Sequence, residues 1–212
     1  GSAPDRPQGP HRDNAGRYRA PMAALTAQQT REHLRVQTDA LIARVSALDD
    51  LEAPSLCAGW SRAHVLSHLA RNADGIGNLV RAAAGEPGTM YLSDKDRDAD
   101  IEAGSHRAAS EIVEDLLTTA HEVNGLLPTL DDVAPEVTVE RTPGGQRFRA
   151  ADLAFMRLRE VVYHHVDLDS GFTFADLPED LLTHFLTDEA GRHSAHEKAT
   201  TLLWLARGIR PV

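Results

Sequence analysis

Residues 159–168 read REVVYHHVDL and gather Glu160, His164, His165 and Asp167 in an otherwise apolar stretch. At about 100° per helical residue, Glu160 and His164 lie roughly 40° apart, and Asp167 falls within about 20° of Glu160. Arg157 sits close to the same face. His165 projects to the other side with Leu158, Val162 and Val166, as a packed, hydrogen-bonded core histidine would. A polar stripe opposite an apolar one is also what an ordinary surface helix shows. Taken alone, this helix fits a solvated face better than a metal site.

A second stretch, SRAHVLSHLARNADG, places His64 and His68 four apart, with Asn72 and Gly75 continuing their face. A His-x-x-x-His pair can chelate a divalent cation, but such pairs arise easily by chance in a chain with 11 histidines. Neutral imidazole and carboxylate suit Zn²⁺, and also Ni²⁺, Fe²⁺ or Mn²⁺. Two histidines and one glutamate leave a coordination position open, the pattern of catalytic rather than structural zinc.

These residues need elements to hold them. The 212-residue chain is long enough for one substantial domain, and its 42% hydrophobic content supports a core. With only 5 Phe, 2 Trp and 3 Tyr, that core falls to Leu, Ala and Val, as in helical bundles. Helical periodicity starts at Thr26, restarts at Ser61 and runs to about Ala84. It continues from about Asp98 to Leu127 and from about Ala151 to Ser170. Shorter helices are expected after Pro178 and through TTLLWLARG. Val137–Val139 and Gln146–Phe148 flank Pro143-Gly144-Gly145, which predicts a small hairpin. The expected fold is all-α, a four-helix bundle with a hairpin insertion and short C-terminal helices. The expected organisation is one domain over 22–212, preceded by a disordered tail over 1–21.

A formal charge of −10 argues against nucleic acid or an anionic membrane as partner. The single cysteine, Cys57, excludes an internal disulfide framework, and a cytoplasmic location is expected. Cys57 lies in a turn with no spacing to a histidine, so a small half-buried residue is expected there. No Gly-x-Ser-x-Gly elbow and no phosphate-binding glycine loop is present.

The stretch LCAGWSRAHVLSHLARNADGIGNLV, followed by MRLREVVYHHVDL, resembles the mycothiol-dependent maleylpyruvate isomerase family of DinB-like bundles. The resemblance covers roughly 24–190. It implies a divalent metal held by His68, Glu160 and His164. It places His64 near the site or in a structural role and matches Asp167 to the family's aspartate, with Asn72 and Arg157 facing the pocket. It also implies a low-molecular-weight thiol, mycothiol or similar, bound as thiolate and attacking a small-molecule electrophile, in cis–trans isomerisation or S-transfer. Asp167, Asn72 and Arg157 are the expected catalytic residues. DinB-like bundles often dimerise, so a homodimer is compatible. Isomerases of that family carry a further C-terminal α/β domain, for which residues 170–212 leave no room. An electrophile other than maleylpyruvate is therefore expected. Two alternatives stay open: a hydrolase using the same metal, and a non-enzymatic metal-binding or small-molecule-binding stress protein.

Overall fold

The computed structural model describes residues 25–192; the expectations for the tail and for TTLLWLARG lie outside them. Six α-helices are present among the described residues: α1 (Ala27–Val45), α2 (Arg62–Ala83), α3 (Asp94–Ser105), α4 (Ala109–Leu126), α5 (Leu153–Asp167) and α6 (Glu179–Arg192). Strands β1 (Thr138–Glu140) and β2 (Arg147–Arg149) form an antiparallel hairpin with Val139 opposite Phe148. Helices α1, α2, α4 and α5 form the bundle, so the expected all-α class holds. None of the described helices is long and apolar enough to cross a membrane.

Both first helices start where their capping chemistry dictates. Thr26 accepts from Gln29 N, and the Gln29 side chain accepts in return from Thr26 N, a closed capping box. Ser61 does the same for α2, with His64 Nδ1 as the reciprocal acceptor. The helix expected over 98–127 is two helices. α3 ends at Ser105, and α4 restarts at Ala109 with Glu111 accepting from Ala108 N. A capping interaction without Ser or Thr at the cap gives little sequence signal.

α2 is the centre of the molecule. It packs against α3, α4 and α5, and is buried on nearly all sides. Its small residues Ala63, Ala70, Ala73, Gly75 and Gly77 let neighbours approach closely. Gly75 lies under the segment that carries Met90 and Tyr91. That segment is tied to the hairpin by Met90 N donating to Glu140 O at 3.0 Å and Tyr91 N to Arg141 O at 2.9 Å. A Cβ on residue 75 would stand 2.8 Å from Met90 Cγ and 3.1 Å from Tyr91 Cε1. Gly75→Ala should therefore cost about 1–3 kcal/mol by overpacking, readable as a lower urea midpoint at unchanged slope.

The start of α2 is clamped to the end of α5. Arg62 Nε donates to Leu168 O at 2.8 Å and Arg62 Nη2 to Asp169 O at 2.9 Å, satisfying carbonyls at the helix terminus. Asp169 ends the helix in the left-handed region, at φ 48. The preceding loop turns at Gly59, φ 80, and Leu56 N donates to Asp167 O at 2.8 Å. This clamp sets the two histidine-bearing helices side by side.

Candidate metal centre

His68 from α2 meets Glu160 and His164 from α5. His68 Nε2 lies 2.8 Å from Glu160 Oε2, and His164 Nε2 lies 3.4 Å from the same oxygen. One ligand atom from each residue lies within 4.8 Å of the other two. Donor atoms around a tetrahedral zinc, each about 2.0–2.1 Å from it, stand about 3.3 Å apart. The triangle therefore fits a divalent cation with an open fourth position. His68 is 4% exposed and is buried between helices, so the solvated-face reading does not apply to it.

The surroundings set the protons. Burial pushes Glu160 up, but hydrogen bonds from His164 and His68 outweigh it and hold the carboxyl well below the usual range. Burial pulls His68 down, against the pull of Glu160. Burial also opposes the charged form of His164, yet its hydrogen bonds to Asp167 and Glu160 raise it to about 9. Asp167 Oδ2 accepts from His164 Nδ1 at 2.9 Å. This leaves Nε2 as the metal-facing atom, the carboxylate–histidine arrangement common behind metal ligands.

His68 is set differently. Arg97 Nη2 stands 3.1 Å from His68 Nδ1. A guanidinium only donates, so Nδ1 accepts and the His68 proton sits on Nε2, donated to Glu160. A cation at Nε2 requires that proton to move to Nδ1 and Arg97 to turn away. Arg97→Gln, whose carbonyl oxygen can accept from Nδ1–H, should bind divalent metal severalfold more tightly than wild type in a competition titration.

The remaining expected residues divide. Asn72 is buried and lines the pocket beside His68. Arg157 does not face the pocket: it is fully buried and donates to Leu69 O and Asn72 Oδ1. Helix periodicity placed it near the Glu160 face, but the close approach of α2 turns that edge of α5 into core. His64 stays outside the triangle and meets Ser61, Glu102 and Ser105. His165 is buried and stacks on Phe172 at 3.8 Å, but neither ring nitrogen has a partner among the described residues. The expected hydrogen-bonded histidine is thus a packed one, and burial drops it to about 4.

Cys57 was expected to be without a histidine partner and is not. Its Sγ is 3.3 Å from Asp167 Oδ2 and 3.9 Å from His164 Nδ1. It remains half-buried, and burial together with Asp167 pushes the thiol up to about 11. It is a thiol donor to Asp167 rather than a nucleophile. Nothing local in the sequence signals a contact that the loop-to-α5 clamp creates. Trp60, with its ring centroid 5.5 Å from that of His68, is a further neighbour that spacing did not single out.

A cavity of about 500 Å³ opens from His68 and Glu160. Its walls come from α2, the Met90–Tyr91 segment, α3, the hairpin, α5 and α6. Arg97, Arg141, Arg149, Arg159 and Arg192 line it, against Asp152, Asp188 and Glu160. α6 closes one side by packing Phe185 on Phe155 and Tyr163 and by accepting from Tyr163 OH at Glu189, 2.7 Å away.

The profile of the family described as mycothiol maleylpyruvate isomerase N-terminal domain matches residues 31–169. The chain belongs to this family. Two crystal structures of the mycothiol-dependent maleylpyruvate isomerase, one of them a histidine-to-alanine mutant, share the fold at TM-score 0.72. The mutant is 27% identical to this chain and the other 28%, each over 79% of this chain and 72% of theirs. No curated protein matches the chain significantly. Family membership spans both motif-bearing helices, so His68, Glu160 and His164 all lie inside the matched region.

Proposed function

We propose that this protein is a metal-dependent, mycothiol-using isomerase or S-transferase acting on a small electrophile. The observation that carries the reading is the His68–Glu160–His164 triangle at the inner end of an arginine-lined cavity, in a chain of this family. A divalent cation, zinc in our reading, would there act as a Lewis acid and lower the pKa of a coordinated thiol.

The chain's own residues set the rest. Glu160 supplies a lasting negative charge between the two imidazoles. Asp167 fixes the tautomer and plane of His164. Arg97, Arg141, Arg149, Arg159 and Arg192 bring guanidinium donors to the cavity wall, each also paired with a carboxylate of Asp98, Asp94, Asp152 or Asp188, which favours a polar substrate whose carbonyl or carboxylate oxygens can share those donors. Addition of the thiol sulfur to a carbon conjugated with a carbonyl forms a C–S bond and moves the π pair onto the carbonyl oxygen. If the pair returns after rotation, the C–S bond breaks and the trans alkene leaves. If a proton quenches it, the thioether remains.

The test is turnover by the metal-loaded chain of maleylpyruvate and other conjugated carbonyl compounds, with and without mycothiol, with products resolved by mass spectrometry. Thiol-dependent isomer or adduct is expected. Turnover that ignores the thiol would move the site to hydrolysis.

A further inference from the structure

Arg157 is among the largest fully buried side chains, at 1% exposed; no carboxylate among the described residues hydrogen-bonds to it, and Glu160 and Asp74 favour its charge only from a distance. Its Nη1 donates to Leu69 O at 2.8 Å and to Asn72 Oδ1 at 2.7 Å, while Nη2 has no partner. A position that needed only volume would take Leu or Met at far lower desolvation cost. The guanidinium therefore calls for a reason beyond packing.

That reason lies in the amide it touches. Asparagine can turn either end toward a neighbour, but a guanidinium accepts nothing, so the end facing Arg157 is the carbonyl oxygen. The other end, Nδ2, is left for the opposite side. Asn72 lines the cavity one helical turn after His68, and no described residue accepts from Nδ2. The buried positive charge also polarises the amide and strengthens its N–H groups as donors.

We propose that Asn72 Nδ2 is the hydrogen-bond donor that receives the carbonyl or carboxylate oxygen of the electrophile, and that Arg157 is the positioning residue that keeps the donor end toward the cavity. In the addition step the displaced electron pair resides on that oxygen, and a donor already in place stabilises it without reorganisation. The inference rests on the metal-site reading above and not on the thiol.

The probe is acetohydroxamate, an oxyanion that coordinates zinc, titrated calorimetrically into the zinc-loaded chain. Asn72→Asp is the decisive variant. Its carboxylate still accepts from Arg157, so the melting temperature should be no lower than wild type, while the pocket loses its donor. Acetohydroxamate affinity should fall tenfold or more, the worth of one hydrogen bond to a charged group. Gln146→Glu adds the same charge at an exposed point of the cavity wall and should cost threefold or less, while Asn72→Leu, which removes the donor without adding a charge, should lose affinity as Asn72→Asp does. Arg157→Met should weaken affinity in the wild-type background and have no further effect with Asn72→Leu; a merely structural arginine would change stability in both and affinity in neither.

Wild-type affinity that is undetectable, equal losses in Asn72→Asp and Gln146→Glu, or an additive cycle would each overturn the inference. If Arg157→Met does not fold, the Asn72→Asp comparison decides alone. Failure of mycothiol to bind would sink the thiol reading and leave these hydroxamate differences standing.

Discussion

His164→Ala should reduce bound divalent metal from about one per chain to a trace, and thiol-dependent turnover to background. His164 contributes two things at once. Its Nε2 completes the triangle with His68 and Glu160, and its Nδ1 ties that triangle to Asp167. Loss of an outer hydrogen-bond partner typically costs about 10–100-fold in metal affinity; loss of the ligand itself should exceed that. The fold should survive, because His164 is only half-buried and the core of α5 is carried by Leu158, Val161 and Val162. Elemental analysis beside a far-ultraviolet circular dichroism spectrum checks both halves. An unfolded variant would be uninformative about ligation, so Glu160→Gln, which keeps the side-chain shape, should show the same loss of metal.

Metal affinity should fall about tenfold for each pH unit below about 9. His164 is raised to about 9 in the metal-free chain, so below that pH its Nε2 carries a proton that a cation must displace. Glu160 stays ionised because its carboxyl is held well below the usual range, and burial keeps His68 neutral. The proton on His68 Nε2 moves to Nδ1 and does not leave the protein. Uptake at pH 7 should therefore release one proton per metal, measurable by calorimetry in buffers of differing ionisation enthalpy. Asp167→Asn removes a principal bond that raises His164. The break in the profile should move to lower pH, and affinity at high pH should drop by about 10–100-fold because the imidazole loses its orienting partner.

The helices that build this site follow from local chemistry. Thr26 and Ser61 start α1 and α2 with reciprocal caps, and Pro143-Gly144-Gly145 turns the hairpin. The spacing of Glu160, His164 and Asp167 places them on one side of α5, and they do meet there. What spacing could not reveal is which stripes face each other. The pairing of α2 with α5 rests on contacts between residues far apart in sequence, among them the Arg62 clamp, the turn at Gly59 and the Arg157 hydrogen bonds, a long-range arrangement that no periodicity encodes. Hence Arg157 read as a pocket residue and proved to be core, and Cys57 read as isolated although it touches Asp167. The break between α3 and α4 was hidden for a different reason. Ser105, His106 and Arg107 are compatible with helix, yet α3 closes at its C-cap His106 and α4 starts from the cap at Ala108.

The most direct test of the account is calorimetric titration of mycothiol into the chain in three states: zinc-loaded, metal-free, and His164→Ala treated with zinc. One saturable mycothiol site is expected in the zinc-loaded wild type and none in the other two. Equal mycothiol binding in all three states, or no binding to a wild type shown to hold zinc, would contradict the account.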